Sequence, residues 1–532
     1  MLVRKSTLSF IIVGAAVFVV GSSFLVWRPE YTENIVPSKW IDWTGVKADG
    51  SDRPLPISSP LSDHQAPPQD GPIRPDDDIG VKPLPISIEN NQLIPIEISS
   101  EDLVHRLRTF LSAPVLTYAE SAKASEKTCP REVSDRQVNP DQLHDQIGMW
   151  TSIENDELVR RRVAIVKYLE ALEKNGRALL GSSATGKGRG IVMTGGNRDT
   201  TSRLLVTLRI LRKEHKSTLP VEIFTFPDEI SDRTVLDEFK ELGAKVKELQ
   251  GKSKLNIWKN FQIKADAIIL SSFDEVLYLD SDNIPLRDPS YLFDSELYKG
   301  EGRPKVVFWP DLNKDHPDNP IWRLMGKTCN NTEFEVESGQ ILISKSGNHG
   351  FNMAALHVAA HMQEDHEFYF SLSGGDKDTF RYGFWALQVP YAVSPRWLSS
   401  LGFHSEYDNR FCGIAMLQYE IIDRLGSHPL PLFVHANLLK HRNYVPGSGA
   451  FQTIKRAAFD GANLPSLDAA RMWVYQSGGM CVDVEVQEQA KPGVTADGVQ
   501  RVVEERWDQV YEGAFAGFAD MYRRHGGRGG GW

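Results

Sequence analysis

Two carboxylates, Asp280 and Asp282, close the run Glu275-Val276-Leu277-Tyr278-Leu279. That run is rich in β-branched and aromatic residues, as a buried strand would be. If the strand continues through them, the i, i+2 spacing puts both carboxylates on one side of its carboxyl end, about 7 Å apart at their Cα atoms. A hard divalent cation fits between such groups, and Mn²⁺ or Mg²⁺ would also take oxygens from a diphosphate. Pro285 is expected to end ladder pairing and send the chain into a loop. The bland alternative is an acidic turn that only solvates a strand end.

Three more stretches could do chemistry. Gly195-Gly196-Asn197 follows the short buried-type strand Gly190–Thr194 and precedes a helix over 200–215, a strand-turn-helix arrangement that can cradle an anion on free amides. Asp376-Lys377-Asp378 follows Gly374-Gly375 at a helix start; one carboxylate suffices for a cap, so the second points to a sugar or an acceptor hydroxyl. Glu337-Ser338-Gly339-Gln340 opens a strand, where the missing side chain of Gly339 would let an acceptor approach Glu337; a structural salt bridge is the other reading.

The elements that must position these groups alternate. Strands over 221–226, 244–249, 305–309 and 337–343, with helices over 232–242, 264–272 and 352–363, argue for an α/β domain on a mostly parallel sheet. Ligands of such sheets bind outside the carboxyl ends of the strands. A later apolar strand ends in His435, five residues before Lys440. Helices over 101–111 and 155–175 lead into the domain, and an amphipathic helix is expected over 498–522, before a Gly-rich tail to which no function is assigned.

The chain has 532 residues and a net charge of −10, so no basic excess points to nucleic acid. Residues 6–27 carry no charge and are long enough to span a bilayer, and Arg4 and Lys5 before them favour a cytosolic amino terminus; a cleaved signal peptide is the alternative. The expected organisation is a cytosolic tail at 1–5, a transmembrane signal-anchor at 6–27, a Pro-rich stem at 28–100 whose end, 86–98, could form an edge strand, a helical lead-in at 101–185, a catalytic domain at 186–480, and a carboxyl-terminal helix and tail at 481–532. Cys129, Cys329, Cys412 and Cys481 allow three disulfide connectivities, and sequence does not choose among them. Asn330-Asn331-Thr332 is a glycosylation sequon, meaningful in a luminal protein.

The stretches 190–197, 275–283, 337–340 and 374–380 together resemble the fungal Golgi α-mannosyltransferases of glycosyltransferase family 71. The resemblance implies a GT-A (Rossmann-like) luminal domain behind a single transmembrane helix, in a type II Golgi membrane protein. It implies retaining transfer of mannose from GDP-mannose to a mannan or N-glycan outer chain, through an α-1,2 or α-1,3 bond. A more distant similarity to glycogenin-like transferases implies that Asp280, Asp282 and His435 hold Mn²⁺ (or Mg²⁺) and that Lys264 and Lys440 contact the donor. Gly195, Gly196, Asn197 and Lys377 join the expected donor site, and Asp376, Asp378 and Glu337 are the catalytic candidates. The other readings are a UDP-N-acetylglucosamine or UDP-galactose donor, and a glycan-binding scaffold without catalysis.

Overall fold

A computed structural model describes residues 94–529 apart from 139, 255–259, 261, 331, 422–428, 443–448, 459–469 and 487–500. The expected membrane span and nearly all of the stem lie outside these residues. Residues 94–98 form no strand, which corrects the edge-strand expectation for that part of 86–98. Among the described residues no helix is long and apolar enough to cross a membrane.

The helices α1 (Glu101–Ser112), α2 (Tyr118–Ser125), α3 (Pro140–Ser152) and α4 (Asn155–Lys174) come first, with a single helical turn at Arg131–Ser134 between α2 and α3. Ser100 caps α1, and Thr117 with Glu120 forms a reciprocal capping box on α2. Leu103, Leu107 and Phe110 of α1 and Leu158, Ile165 and Leu169 of α4 make apolar stripes at helical spacing, all buried in one core.

The first sheet follows in β1 (Arg189–Thr194), α5 (Arg198–Arg209), β2 (Val221–Thr225), α6 (Arg233–Glu241), β3 (Ala244–Glu248), α7 (Lys264–Leu270), β4 (Glu275–Leu279), β5 (Asn283–Pro285), β6 (Val306–Pro310) and β7 (Val336–Ser344). Helices α8 (Phe351–Glu364), α9 (His366–Ser373) and α10 (Lys377–Ala386) precede β8 (Ala392–Val393). The strand order is β3-β2-β1-β4-β7-β6-β8, and only β7 runs against the rest. Alternation sorts the side chains. Val192, Val276, Tyr278 and Ile341 join the core under α1, α4 and α8, whereas Ile191, Leu277, Leu279 and Leu342 join the core under α5 and α6. Helix α5 ends at Arg209 and continues as a π-turn over Ile210–Glu214, close to the expected 200–215.

The remaining strands are β9 (Ser399–His404), β10 (Phe411–Tyr419), β11 (Pro431–His435), β12 (Thr453–Ala458), β13 (Ala470–Gln476), β14 (Met480–Val486) and β15 (Arg501–Arg506), with α11 (Phe518–Arg524) after them. They build an antiparallel second sheet that β5 joins through β11. Two expectations are corrected. Pro285 does not end pairing, because β5 has β11 on its one paired side and a proline is tolerated at such an edge. Residues 501–522 do not form one helix: 501–506 pair antiparallel with β12 as a strand, and α-helix begins only at Phe518. The disulfides are Cys129–Cys329 and Cys412–Cys481, the latter tying β10 to β14.

Arg162 fastens the early helices to the rest of the domain. Its buried guanidinium donates to the carbonyl oxygens of Leu324 (2.7 Å), Arg323 (3.1 Å), Pro114 (3.3 Å) and Ala113. Burial pulls it down to about 10, so it keeps its charge at neutral pH. Arg162→Leu leaves those carbonyls unpaired and is expected to cost about 3 kcal/mol. A thermal melt within about 1 °C of the wild type would refute this role.

Candidate functional site

Strand β4 ends at Leu279, one residue before the first carboxylate. The expected projection of both groups from the pleat is therefore corrected: a turn, closed by the Asn283 N–H on the Asp280 carbonyl at 3.1 Å, brings them together. The turn faces the end of β11, where His435 Nε2 lies 3.2 Å from Asp282 Oδ1 and 3.8 Å from Asp280 Oδ2. One ligand atom from each of Asp280, Asp282 and His435 falls within a common 4.8 Å. A divalent ion with bonds of about 2.1 Å separates its ligands by up to about 4 Å, so a slight closing of these side chains gives three ligands. Two carboxylates and an imidazole fit such an ion chemically.

Cations from separate elements surround the pair. Lys264 on α7 is buried and donates to Asp280 Oδ2 at 2.8 Å and Ser338 Oγ at 3.1 Å, and it lies 3.1 Å from Asp376 Oδ2. Lys440, just past β11, donates to Asp282 Oδ2 at 2.7 Å. The Tyr278 hydroxyl donates to Asp280 Oδ1 at 2.8 Å and meets Thr194 Oγ1 at 2.7 Å, connecting the end of β1 to the site. Burial pushes the Asp282 carboxyl up, but Lys440, His435 and Arg203 outweigh it and hold the group well below the usual range. Burial likewise opposes charge on His435, yet Glu337 and Asp282 raise it to about 10.

Strand β7 divides the site. Ser338 points to the Lys264 side and donates to Asp376 Oδ2 at 3.0 Å. Glu337 points to the opposite side, where its Oε1 accepts from the Gly339 N–H at 2.6 Å and lies 3.3 Å from His435 Nδ1. This corrects the expectation that Glu337 faces a substrate, because it sits behind the histidine. A Cβ on Gly339 would meet His435 Nδ1 at 2.5 Å, so glycine makes room for the imidazole rather than for an acceptor.

Asp376 reaches the carboxylate pair through Lys264, and its side chain makes no capping bond although it is the N-cap residue immediately before α10. Burial raises its carboxyl above the usual range against the opposing pull of Lys264. Asp378 and Lys377 do not reach the pair. Asp378 Oδ1 accepts from the Val336 N–H at 3.0 Å and lies 2.7 Å from Arg381, while Lys377 pairs with Asp378, Glu335 and Asp311. With Asp315 on Arg381, four buried carboxylates share two cations. The expected roles of Asp378 in catalysis and Lys377 in donor binding are corrected to this buried seam. In the glycine turn, Gly195 N–H donates to the Phe224 carbonyl at 3.1 Å and Gly196 N–H to Thr200 Oγ1 at 2.9 Å, so these two amides are spent within the chain, while Asn197 caps α5 through Oδ1, which accepts from the Thr200 N–H at 2.8 Å.

Sequence reasoning missed Tyr278, Ser338 and Arg203. Tyr278 stands i, i+2 before Asp280, a spacing that could have signalled it; Arg203 lies on a helix face with no such mark.

A family described as "Mannosyltransferase putative" matches residues 188–332 and 317–420, which hold Lys264, Asp280, Asp282, Glu337 and Asp376. Over these residues the chain is similar to this mannosyltransferase family. Alpha-1,2-mannosyltransferase MNN2 of Saccharomyces cerevisiae is 25% identical over 300 residues, covering 47% of this chain and 48% of its own. Alpha-1,2-mannosyltransferase MNN22 of Candida albicans is 29% identical over 303 residues, 48% of this chain and 50% of its own. The chain thus spans about half the length of these curated relatives. Among solved structures, the glycosyltransferase GlyE of Streptococcus pneumoniae TIGR4 is 16% identical at a TM-score of 0.26, covering 39% of this chain and 45% of that one, too slight a likeness to decide anything.

Two outcomes are expected from this site. Gly339→Ala should displace His435 and weaken Mn²⁺ binding about 10-fold or more, by titration followed with electron paramagnetic resonance; unchanged binding would remove His435 from the ligand set. The second concerns pH. Burial raises Glu335 to about 8 against the attraction of Lys377, so its contribution to stability is complete below about pH 4.5 and is lost as pH rises through about 8. Glu335→Gln, which cannot ionise, should therefore melt closer to the wild type at pH 6 than at pH 9, where it should be the more stable protein. Parallel melting curves for the two proteins would contradict this.

Proposed function

We propose that this chain is a metal-dependent retaining α-mannosyltransferase of GT-A architecture, moving mannose from GDP-mannose to a mannan or N-glycan outer chain. The carrying observation is the Asp280–Asp282–His435 cluster with Lys264 and Lys440 beside it, at the carboxyl ends of parallel strands in a chain similar to a mannosyltransferase family. The names of the relatives favour an α-1,2 bond. Asp280, Asp282 and His435 would hold Mn²⁺, whose Lewis acidity would favour negative charge on a departing diphosphate. Lys440 and Lys264 add fixed positive charge in a dry setting, where it acts more strongly than in water. Asp376, held by Lys264 and Ser338, is placed to accept hydrogen bonds from sugar hydroxyls. Glu337 orients the His435 ring. With an α-linked donor and an α-linked product the configuration is retained, and no nucleophile is assigned. The uncharged run at 6–27 and two disulfides, which persist in oxidising compartments, support a type II Golgi membrane protein with this domain in the lumen.

The test offers GDP-mannose, UDP-N-acetylglucosamine and UDP-galactose to the purified chain, with Mn²⁺ or with excess chelator. Mannose transfer that chelator abolishes is expected. Asp282→Asn and Asp376→Asn should each lower kcat by about 10²-fold or more with little change in melting temperature. Asp378→Asn should instead lower the melting temperature, because it strips charge from the buried seam. Transfer from a UDP-sugar, or full activity in chelator, would overturn the reading, and no transfer from any donor would favour a glycan-binding scaffold.

A further inference from the structure

The carboxyl-terminal residues are folded against the carboxylate site. Tyr522 of α11 is buried in one apolar cluster with Val206 of α5, Ile284 of β5, Val434 of β11 and Leu439 beside Lys440. Its hydroxyl donates to the Arg528 carbonyl at 3.3 Å, and the phenol lies within electrostatic reach of Arg203, Asp282 and Asp199. A Cβ on Gly527 would meet the Tyr522 ring at 2.3 Å, so only glycine lets the chain cross over that ring. Arg209 Nη1 on α5 donates to the His525 carbonyl at 2.9 Å, and Glu214 lies 3.1 Å from Arg524 and 2.5 Å from His525 Nε2. The Gly-rich segment is thus fixed to α5 as far as Arg528.

Arg203 of α5 lies within electrostatic reach of Tyr522. Its side chain is only 8% exposed, and Nη1 and Nη2 pair with the two oxygens of Asp199 at 2.8 and 2.6 Å. The buried Nε makes no hydrogen bond. A guanidinium has five N–H donors in a planar fork suited to phosphate, and an unmade bond on a buried donor is costly, so a ligand oxygen here would be favourable. Three charges converge on this spot: Arg203, Asp282 and, through Asp282, Lys440.

We propose that Arg203 is a further donor-binding residue that contacts a phosphate of the nucleoside diphosphate, and that residues 518–528 form the wall positioning it, with Tyr522 as the positioning residue. This rests on the nucleotide-sugar reading above and adds to it a residue from α5 and a segment beyond the second sheet. A salt bridge with Asp199 would by itself explain two of the donors but not the buried third.

The experiment measures GDP and UDP binding by calorimetry with Mn²⁺ present, and Mn²⁺ binding alone, for the full chain and for Arg203→Ala, Arg203→Lys, Tyr522→Phe and Gly527→Ala, each beside its melt. Arg203→Ala should weaken nucleotide binding 10-fold or more while Mn²⁺ binding stays within about 2-fold. Arg203→Lys should recover only part of the loss. Tyr522→Phe should raise the nucleotide Kd several-fold with little change in the melt, and Gly527→Ala, whose Cβ meets the buried Tyr522 ring, should raise the Kd and lower the melt together. Wild-type nucleotide affinity in Arg203→Ala, with only a lower melting temperature, would reduce Arg203 to a brace for α5 and overturn the proposal alone. Failure of the wild type to bind either nucleotide would overturn both the proposal and the transferase reading beneath it.

Discussion

Two carboxylates buried side by side are unstable unless cations stand against them, and the architecture around Asp280 and Asp282 follows from that constraint. The compensation comes from separate elements: Lys264 from a helix under the first sheet, His435 and Lys440 from the end of β11, and Arg203 from α5. None of these pairings is local in sequence. The site is therefore a reason for the two sheets to meet, since β5 and β11 carry Asp282 and His435 to the same seam.

Strand β7 is the structural divider of this charge system. Because successive side chains point to opposite faces, Ser338 serves the Lys264–Asp376 side and Glu337 serves His435, while Glu335, two residues earlier, belongs to the seam with Lys377. One extended segment thus sends polar side chains to three places. A one-residue slip in its register against β4 would exchange the faces and leave His435 without its carboxylate, so the antiparallel pairing of β4 and β7 bears on the chemistry as well as the sheet.

The sheet was legible because its strands are short apolar runs separated by amphipathic helices, as in Gly190–Thr194 and Val221–Thr225. The carboxylate pair, His435 and Asp376 stood out as charged or polar groups at strand and helix ends, whereas Lys264 was singled out by the resemblance; the structure brings Lys264 beside Asp280 and Asp376 and His435 beside Asp282. What was not legible depended on where neighbours pack. The Gly195 turn looks like a free anion cradle until Phe224 and Thr200 take its amides. Asp378 and Lys377 look equivalent to Asp376, but the helical turn points them toward Arg381 and Glu335 instead. Residues 501–506, Arg-Val-Val-Glu-Glu-Arg, carry no strict period of either kind over so short a span, and pairing with β12 makes them a strand. Disulfide connectivity depends on three-dimensional proximity and could not be read from spacing.

The contact between Arg209 and the His525 carbonyl joins residues 316 positions apart. Loop-closure entropy for such a span must be paid before the contact returns anything, and pairings this remote slow folding. On a ribosome the parallel strands emerge long before α11, so the first sheet can form while the α5 surface that this helix covers is still bare. That surface, with Val206 and Ile210 on it, is then the part of the nascent protein most exposed to chaperones and to misassociation until translation passes residue 525.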